Sequence, residues 1–283
     1  MELHLWHHGS PVGASLLMPD LIMNPILRPS THSVAVLVVS CDKYADLWRP
    51  FFDLFFRYWS DCPFPVYLLS NTATVDIANV RGVPVGPDVS WSDNLLRALA
   101  QIEENYVFLF LEDLLLTGPV DTSAVETVLR WFVSSQGNYI RLNGFPPPDV
   151  VLNDTVGTVA PDTIYRTGTV LSVWRRQMLT ELLRPGESAW DFETAGSVRS
   201  EAHEGFYSTR RNYISVINAI IKGKWQRTAL RKTKSLCIGF EVGVRPILNR
   251  REQAALWLRI WGNRLLYRIP VAWRKPIREF VLR

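Results

Sequence analysis

The apolar run Tyr106–Asp113, YVFLFLED, ends in two adjacent carboxylates, and Glu112 and Asp113 are the first residues of this chain whose type and spacing could do chemistry. Six uncharged residues rich in Val, Phe and Leu read as a strand buried on both faces of an α/β sheet. Acids directly after it would stand at the carboxyl edge of that sheet, where open α/β folds bind their ligands. They can equally solvate a strand end or cap the turn before Leu114–Pro119. A second concentration lies at Glu187–Gly196, where Trp190, Asp191, Phe192 and Glu193 follow one another; acids here also suit the dipole of a helix start. Ser92 and Asp93 are cap candidates for a helix whose amino end would offer free N–H groups to a diphosphate. Lys222-Gly223-Lys224 sets a flexible glycine between two cations, which suits a lid over a diphosphate or simply opens a basic tail. His203 reads as a surface or core histidine.

Positioning these groups takes an alternating framework. Ser33–Ser40 reads as another doubly buried strand, followed by Cys41, Asp42 and Lys43. Ala45–Trp59 carries Leu47, Phe51, Leu54, Phe55 and Tyr58 at helical spacing, with Pro50 expected in the first turn. Pro65–Leu69 reads as a strand ending in Ser70 and Asn71, Val80–Val85 as the next, and Trp91–Glu104 as a helix. Strands and helices alternating with short connections predict a parallel sheet wound right-handedly. Its edge loops would bring Ser40, Cys41, Asp42 and Asn71 beside Glu112 and Asp113. Tyr139–Leu142 and Val170–Val173 are further apolar runs, linked through the stiff loop Phe145–Asp149. Trp174–Leu183 reads as a helix stopped by Pro185 and Gly186, and Tyr213–Ile221 as a strand or a helix.

Composition bounds the class. With 283 residues and 47% hydrophobic content, the chain can bury a large core. One domain is expected over 31–240, after a loose leader over 1–30 that holds His4, His7 and His8, and before a basic amphipathic extension over 241–283. Cys41, Cys62 and Cys237 show neither CxxC nor metal-ligand spacing, so a disulfide framework and a zinc site are not expected, and a reducing compartment fits. No run of about 18 apolar residues suggests a spanning helix, and the first 30 residues lack the pattern of a secretory signal. The chain has no GxGxxG after its first strand, no GxxxxGKS/T and no GxSxG, which disfavours a dinucleotide site, a P-loop and an α/β-hydrolase. Residues 222–283 hold 16 Lys and Arg against 3 acids, a net of +13, leaving −9 for the first 221 residues of a +4 chain. Arg there alternates with Trp257, Trp261, Leu265, Leu266, Tyr267, Ile269, Trp273, Ile277 and Phe280. Large apolar groups beside Arg predict an anionic membrane surface as partner, and no nucleic acid. A terminal helix packed on the core with its Arg in water is the alternative.

The order and spacing of VAVLVVSCDKY at 34–44, YLLSN at 67–71, WSDNLLRAL at 91–99, FLFLED at 108–113, SAWDFETAGS at 188–197 and YISVINAIIKGKW at 213–225 resemble a glycosyltransferase of the GT-A fold, as encoded in bacterial surface-polysaccharide pathways. The resemblance implies a Rossmann-like, mainly parallel sheet flanked by helices, with a helical C-terminal extension. It implies that Ser40, Cys41 and Asp42 receive the base and ribose of a nucleotide-sugar donor, with Asn71, Trp91, Asp93, Lys222 and Lys224 also on the donor side. Glu112 and Asp113 would hold Mg²⁺ or Mn²⁺ against the donor diphosphate. The family's DxD signature is incomplete here, since Leu114 stands where its second Asp would be. Without a cation, Arg97, Arg141, Lys222 or Lys224 would have to balance the diphosphate. Asp191 or Glu193, with Glu193 preferred, would take the proton of the acceptor hydroxyl in an inverting reaction, and Trp190 would stack on a sugar ring. The implied protein transfers a sugar to a glycan or lipid-linked acceptor at the cytoplasmic face of the membrane. Its rivals are a sugar nucleotidyltransferase, for which Cys41-Asp42-Lys43-Tyr44 is a poor phosphate loop, and an inactive membrane-attached scaffold.

Overall fold

Val34–Val39 (β1) forms where four valines in six residues favour an extended backbone, and all six are buried. In the computed structural model, which describes residues 33–145, 147–163, 165–236, 243 and 245–266, this strand is the third of a nine-stranded sheet. The leader at 1–30, Cys237 and the extension beyond Leu266 lie outside the described residues. The remaining strands are β2 (Val66–Ser70), β3 (Val80–Pro84), β4 (Tyr106–Leu111), β5 (Leu114–Leu116), β6 (Tyr139–Arg141), β7 (Val150–Val151), β8 (Val156–Thr158), β9 (Ser172–Arg175), β10 (Phe206–Thr209), β11 (Val216–Asn218), β12 (Ile220–Ile221) and β13 (Lys224–Trp225).

The large sheet runs β3-β2-β1-β4-β9-β6-β10-β8-β7. Its first four strands are parallel, as the alternating pattern predicts, and β6 and β10 are parallel to each other. β9 enters antiparallel between β4 and β6, so the second half is mixed. Because side chains alternate along β1, Val34, Val36 and Val38 join one core while Ala35, Leu37 and Val39 join the other. Helix α1 (Ala45–Tyr58) covers the first face with Leu47, Phe51 and Phe55, the Phe55 ring meeting Phe110 at 5.7 Å between centroids. Helices α2 (Trp91–Leu99) and α4 (Arg176–Leu182) cover the second through Leu95, Leu99, Leu179 and Leu182. The fold is therefore the α/β sheet flanked by helices that the sequence implies.

Several elements differ from expectation for local reasons. A short 3-10 turn at Asp42–Tyr44 precedes α1, which puts Pro50 beyond the first turn as the helix's sixth residue; its missing N–H is one that would otherwise bond Asp46. α2 stops at Leu99, since the chain must reverse into β4, and its cap is Ser90, whose hydroxyl accepts from Asp93 N at 3.1 Å. Leu114–Leu116, to which the sequence reading gave no element, is a buried strand, because β11 pairs with it from about a hundred residues away. Trp174 belongs to β9 and not to a helix, held by Tyr139 at 4.6 Å and Phe192 at 5.8 Å between ring centroids. The sequence reading assigned no element to α3 (Thr122–Ser134), capped by Asp121, or to β10.

Short helices α5 (Ala189–Asp191) and α6 (Ser197–Arg199) precede β10, and α7 (Arg227–Leu236) and α8 (Arg250–Leu266) follow the β12–β13 hairpin. Within the extension Arg250–Leu266 is helical, but α8 is not cleanly amphipathic. Leu256 packs inward while Trp257, Leu258, Ile260 and Trp261 are exposed. Among the described residues no helix is long and apolar enough to cross a membrane.

Candidate active site

β1 and β4 end in register, Val39 opposite Leu111, so the loops at 40–44 and 112–113 start side by side at the carboxyl edge. Asp42 ties the first loop to the one after β2. Its carboxylate accepts from the backbone N–H of Asn71 (2.8 Å), Thr72 (2.9 Å) and Ala73 (3.0 Å) and from the Thr72 hydroxyl (2.9 Å), while its own N–H donates to Asn71 Oδ1 at 3.1 Å. Burial opposes ionisation here, but these donors outweigh it and hold the Asp42 carboxyl below its usual range. Lys43 pairs with Asp88 at 3.1 Å, and Asp88 accepts from Asn94 Nδ2 at 2.8 Å, which fixes the amino end of α2. From that end Asp93 accepts Gly186 N at 2.8 Å and Ser92 accepts Glu187 N at 3.0 Å, anchoring the loop that leads into α5.

A cavity of about 240 Å³ opens between these loops, with Ser40, Cys41, Tyr44, Trp91, Glu112 and Asp113 in its wall and Ala189 of α5 closing one side. Glu112 is only 7% exposed. Burial first, and the charge of Asp113 second, push its carboxyl up to about 8, against the pull of Arg245 and the Ser40 hydroxyl. Burial pushes Asp113 up to about 6, with Arg245 again opposing. At neutral pH the pair thus holds close to one negative charge. Burial also keeps the Cys41 thiol above its usual value, a neutral lining group and not a thiolate nucleophile. Two buried donors near this edge, Trp91 Nε1 and Asn71 Nδ2, have no partner among the described residues.

The donor set suits a hard divalent cation: two adjacent carboxylates in a partly dry site, each ionising more readily once positive charge arrives. Among the described residues no three His, Cys, Asp or Glu side chains form a metal-binding group. Mg²⁺ or Mn²⁺ on Glu112 and Asp113 would therefore take its other ligands from water and phosphate oxygens, the usual habit of Mg²⁺.

Arg245 is the cation the sequence reading missed. Its guanidinium holds Asp46 through Nε (2.6 Å) and Nη2 (2.7 Å), donates to Lys43 O at 2.8 Å, and lies 4.3 Å from the centre of the Tyr44 ring. Nothing local in the sequence marks it, since it belongs to a segment two hundred residues from its partners. The cations the sequence suggested go elsewhere. Arg97 donates to Val85 O and Pro87 O. Lys222 and Lys224 line a different cavity that shares no residue with the first. Arg141 is buried at the end of β6, its guanidinium 5.8 Å from the centre of the Tyr139 ring and its Nε and Nη2 without a hydrogen-bond partner among the described residues.

Glu193 reaches the same edge by another route. β9 runs antiparallel to β4, so its start and the preceding Thr169 lie toward the end of β4 that leads to Glu112. Thr169 donates to Glu193 Oε1 from N (2.9 Å) and Oγ1 (2.8 Å). Burial raises the Glu193 carboxyl above its usual value, with the Thr169 bonds and Arg141 opposing. Glu193 is not in the wall of the Glu112 cavity; Phe192 links the two places, its ring 5.6 Å from Trp91. Asp191 is instead exposed and committed to a capping box with Ser188. Trp190 is exposed beside Ala189. His203 sits 3.6 Å from Glu181 and is partly exposed. A larger cavity of about 760 Å³ lies at the opposite end of β4, around Asn105, Tyr106 and Arg175, and meets none of the candidate residues.

The Asp42 clamp is directly testable. Asp42→Ala is expected to cost about 2 kcal/mol in urea unfolding at pH 7, because three backbone N–H groups lose a charged acceptor. A depressed carboxyl stabilises above its unfolded value and stops doing so as pH falls through its folded one, so the difference should shrink below about pH 4.

No family model matches the sequence, and no curated protein matches it. Among solved structures, residues 1–349 of S. aureus TarS align over 62% of this chain and 59% of that one, at 14% identity and a TM-score of 0.42. The same TarS segment in complex with UDP-GlcNAc aligns over 62% and 57%, at 12% identity and 0.40. UTP-bound UGPase from Acinetobacter baumannii aligns over 81% and 98%, at 10% identity and 0.44. The chain thus spans less than two thirds of the TarS structures. Likenesses this remote carry no ligand or reaction over to this chain.

Proposed function

We propose that this chain is a glycosyltransferase that moves a sugar from a nucleotide donor to a glycan or lipid-linked acceptor, with inversion, in the making of a bacterial surface polysaccharide. The observation that carries this reading is the meeting of Glu112 and Asp113 with the β1 loop and the start of α2 around one cavity at the carboxyl edge. The donor's base and ribose would lie against Ser40, Cys41, Tyr44 and Trp91, whose unpaired Nε1 supplies a donor. Mg²⁺ or Mn²⁺ on Glu112 and Asp113 would neutralise the charge growing on the diphosphate leaving group. Glu193, oriented by Thr169, would accept the proton of the attacking hydroxyl. Trp190, exposed at the rim, would offer a ring to the sugar. Peripheral attachment at the cytoplasmic membrane face fits the exposed Trp257, Leu258, Ile260 and Trp261 in a basic segment.

The test is slow donor hydrolysis by the purified chain across a panel of nucleotide sugars. One donor should be consumed selectively, and less so in the Glu112→Gln and Glu193→Gln variants. Formation of a nucleotide sugar from a nucleoside triphosphate and a sugar phosphate would make the chain a nucleotidyltransferase instead, and an inert protein that binds vesicles would be a scaffold. Deleting residues 250–283 is expected to abolish sedimentation with anionic vesicles while leaving donor hydrolysis intact. Unchanged sedimentation would refute the attachment.

A further inference from the structure

Arg141 is 3% exposed, and among the described residues no acid forms an ion pair with it. A buried guanidinium in that state opposes folding unless something pairs with it. Its orphaned groups are Nε and Nη2, whose N–H bonds lie side by side on one edge of the guanidinium. That edge grips two oxygens of one carboxylate or phosphate.

Strand register fixes where Arg141 points. It pairs with Ser172 of β9 and with Ser208 of β10, while Tyr139, Trp174 and Phe206, each two residues away, lie in the core that holds Phe192. Residues two apart in a strand share a face, so Arg141 faces the segment that carries Glu193. The Ser172 hydroxyl is committed elsewhere, donating to Gly168 O at 2.8 Å and accepting from Trp174 Nε1 at 3.1 Å. Burial raises the Glu193 carboxyl, and the Thr169 bonds and then the charge of Arg141 oppose it. The two charges thus feel each other across a gap that no ion pair closes. Both Thr169 bonds go to Oε1 of Glu193, which leaves Oε2 for another partner.

The backbone around the gap is irregular. Glu193 lies in a π-helical turn, Phe192–Gly196, a form common at functional sites. Leu171, 1% exposed, has φ of +48°, a conformation that a bulky residue keeps only under constraint, and its carbonyl accepts from Leu142 N at 2.8 Å. Asn143 Oδ1, two residues past Arg141, is a buried acceptor without a partner among the described residues. A ligand that brings an anion for Arg141 and hydroxyl groups for Glu193 and Asn143 matches all three. The anion is not the donor's diphosphate, since Arg141 is absent from the wall of the Glu112 cavity.

We infer that the acceptor is an anionic sugar or polyol, its carboxylate or phosphate held by Nε and Nη2 of Arg141 and its attacking hydroxyl presented to Glu193. The inference rests on the transferase reading above and names its acceptor class. The acceptor oxygen bonds to the anomeric carbon as that carbon's bond to the diphosphate oxygen breaks. The diphosphate leaves with the electron pair, the hydroxyl proton passes to Glu193, and Arg141 keeps its protons.

The test is the unfolding midpoint of the full chain with glucuronate, glucose-6-phosphate or glucose, read on the parent, Arg141→Met and Arg141→Lys. One anionic sugar should raise the parent's midpoint, naming carboxylate or phosphate, and glucose should not. Arg141→Met should bind that sugar at least roughly tenfold more weakly, the effect of losing a charged hydrogen bond. Without ligand its midpoint should rise, because no charge is left to bury. Arg141→Lys keeps the charge without the fork and should fall between the two; if Arg141→Met does not fold, this variant and the parent's preference over glucose decide. Glucose as effective as its charged relatives, or anionic sugars that stabilise Arg141→Met as much as the parent, would overturn the inference. So would loss of nucleoside diphosphate binding in Arg141→Met, which would place Arg141 on the donor. Donor hydrolysis with no response to either anionic sugar would overturn this inference alone. An anionic sugar held by Arg141 with no donor hydrolysis would confirm the binding site and overturn the transferase reading.

Discussion

Glu112→Gln is expected to make the protein more stable at neutral and alkaline pH, by on the order of 3 kcal/mol at pH 7, and to end donor hydrolysis. The carboxyl stands near 8 in the folded chain against an ordinary value of 4.5. A raised folded value means that stability is complete below about 4.5 and falls as pH rises toward 8, since the unfolded chain ionises first. Over the 2.5 units between 4.5 and pH 7, at about 1.4 kcal/mol each, that loss gives the figure above. Gln keeps the shape and cannot ionise, so the variant should lose none of it. Urea unfolding at pH 4 and pH 8 checks this: equal stabilities at pH 4, with the variant ahead at pH 8. Parallel curves for the two proteins would mean that Glu112 ionises freely and that the pocket is wet. A residue that weakens the fold where it stands is what a catalytic or metal-binding role would require.

The second large effect falls on Glu193. Glu193→Gln is expected to slow donor hydrolysis by roughly 10²- to 10⁴-fold, the range for losing a general base. Gln still offers an oxygen to Thr169 N and Oγ1, so the fold and nucleoside diphosphate binding should be unchanged. Glu193→Ala would confuse the two, because it leaves the Thr169 N–H unpaired. Burial raises the Glu193 carboxyl toward the pH at which a base works best. Hydrolysis at the parent rate in Glu193→Gln would leave only the helix-start role that its neighbour Asp191 already fills through Ser188.

The parts of the fold legible in the sequence were those dictated by continuous local signals. β1 and β4 are runs of buried apolar residues, and α1 is a repeated aromatic face, so their positions followed from composition and period. β5 was not legible, because three leucines become a strand only when β11 arrives. Trp174 could not be assigned locally either, since its place depends on Tyr139 and Phe192. The site follows the same division. Glu112 and Asp113 were visible as charge ending an apolar run, and the edge loops as their neighbours. Asp42 and Asp93 were visible as acids, but whether they meet a ligand or a backbone N–H depends on loops elsewhere, here 71–73 and Gly186. Arg245 and the Lys222 cavity exist only because the chain after β13 folds back.

A thermal-shift screen of nucleoside diphosphates with and without Mn²⁺, run on the parent and on Glu112→Gln, bears most directly on a carboxylate pair that receives a donor diphosphate through a cation. Ligand bound only by the folded chain raises its midpoint. One nucleoside diphosphate should raise the parent's midpoint when Mn²⁺ is present and leave the variant's where it was. A rise of equal size in both proteins, or none for any nucleotide in the parent, would contradict it.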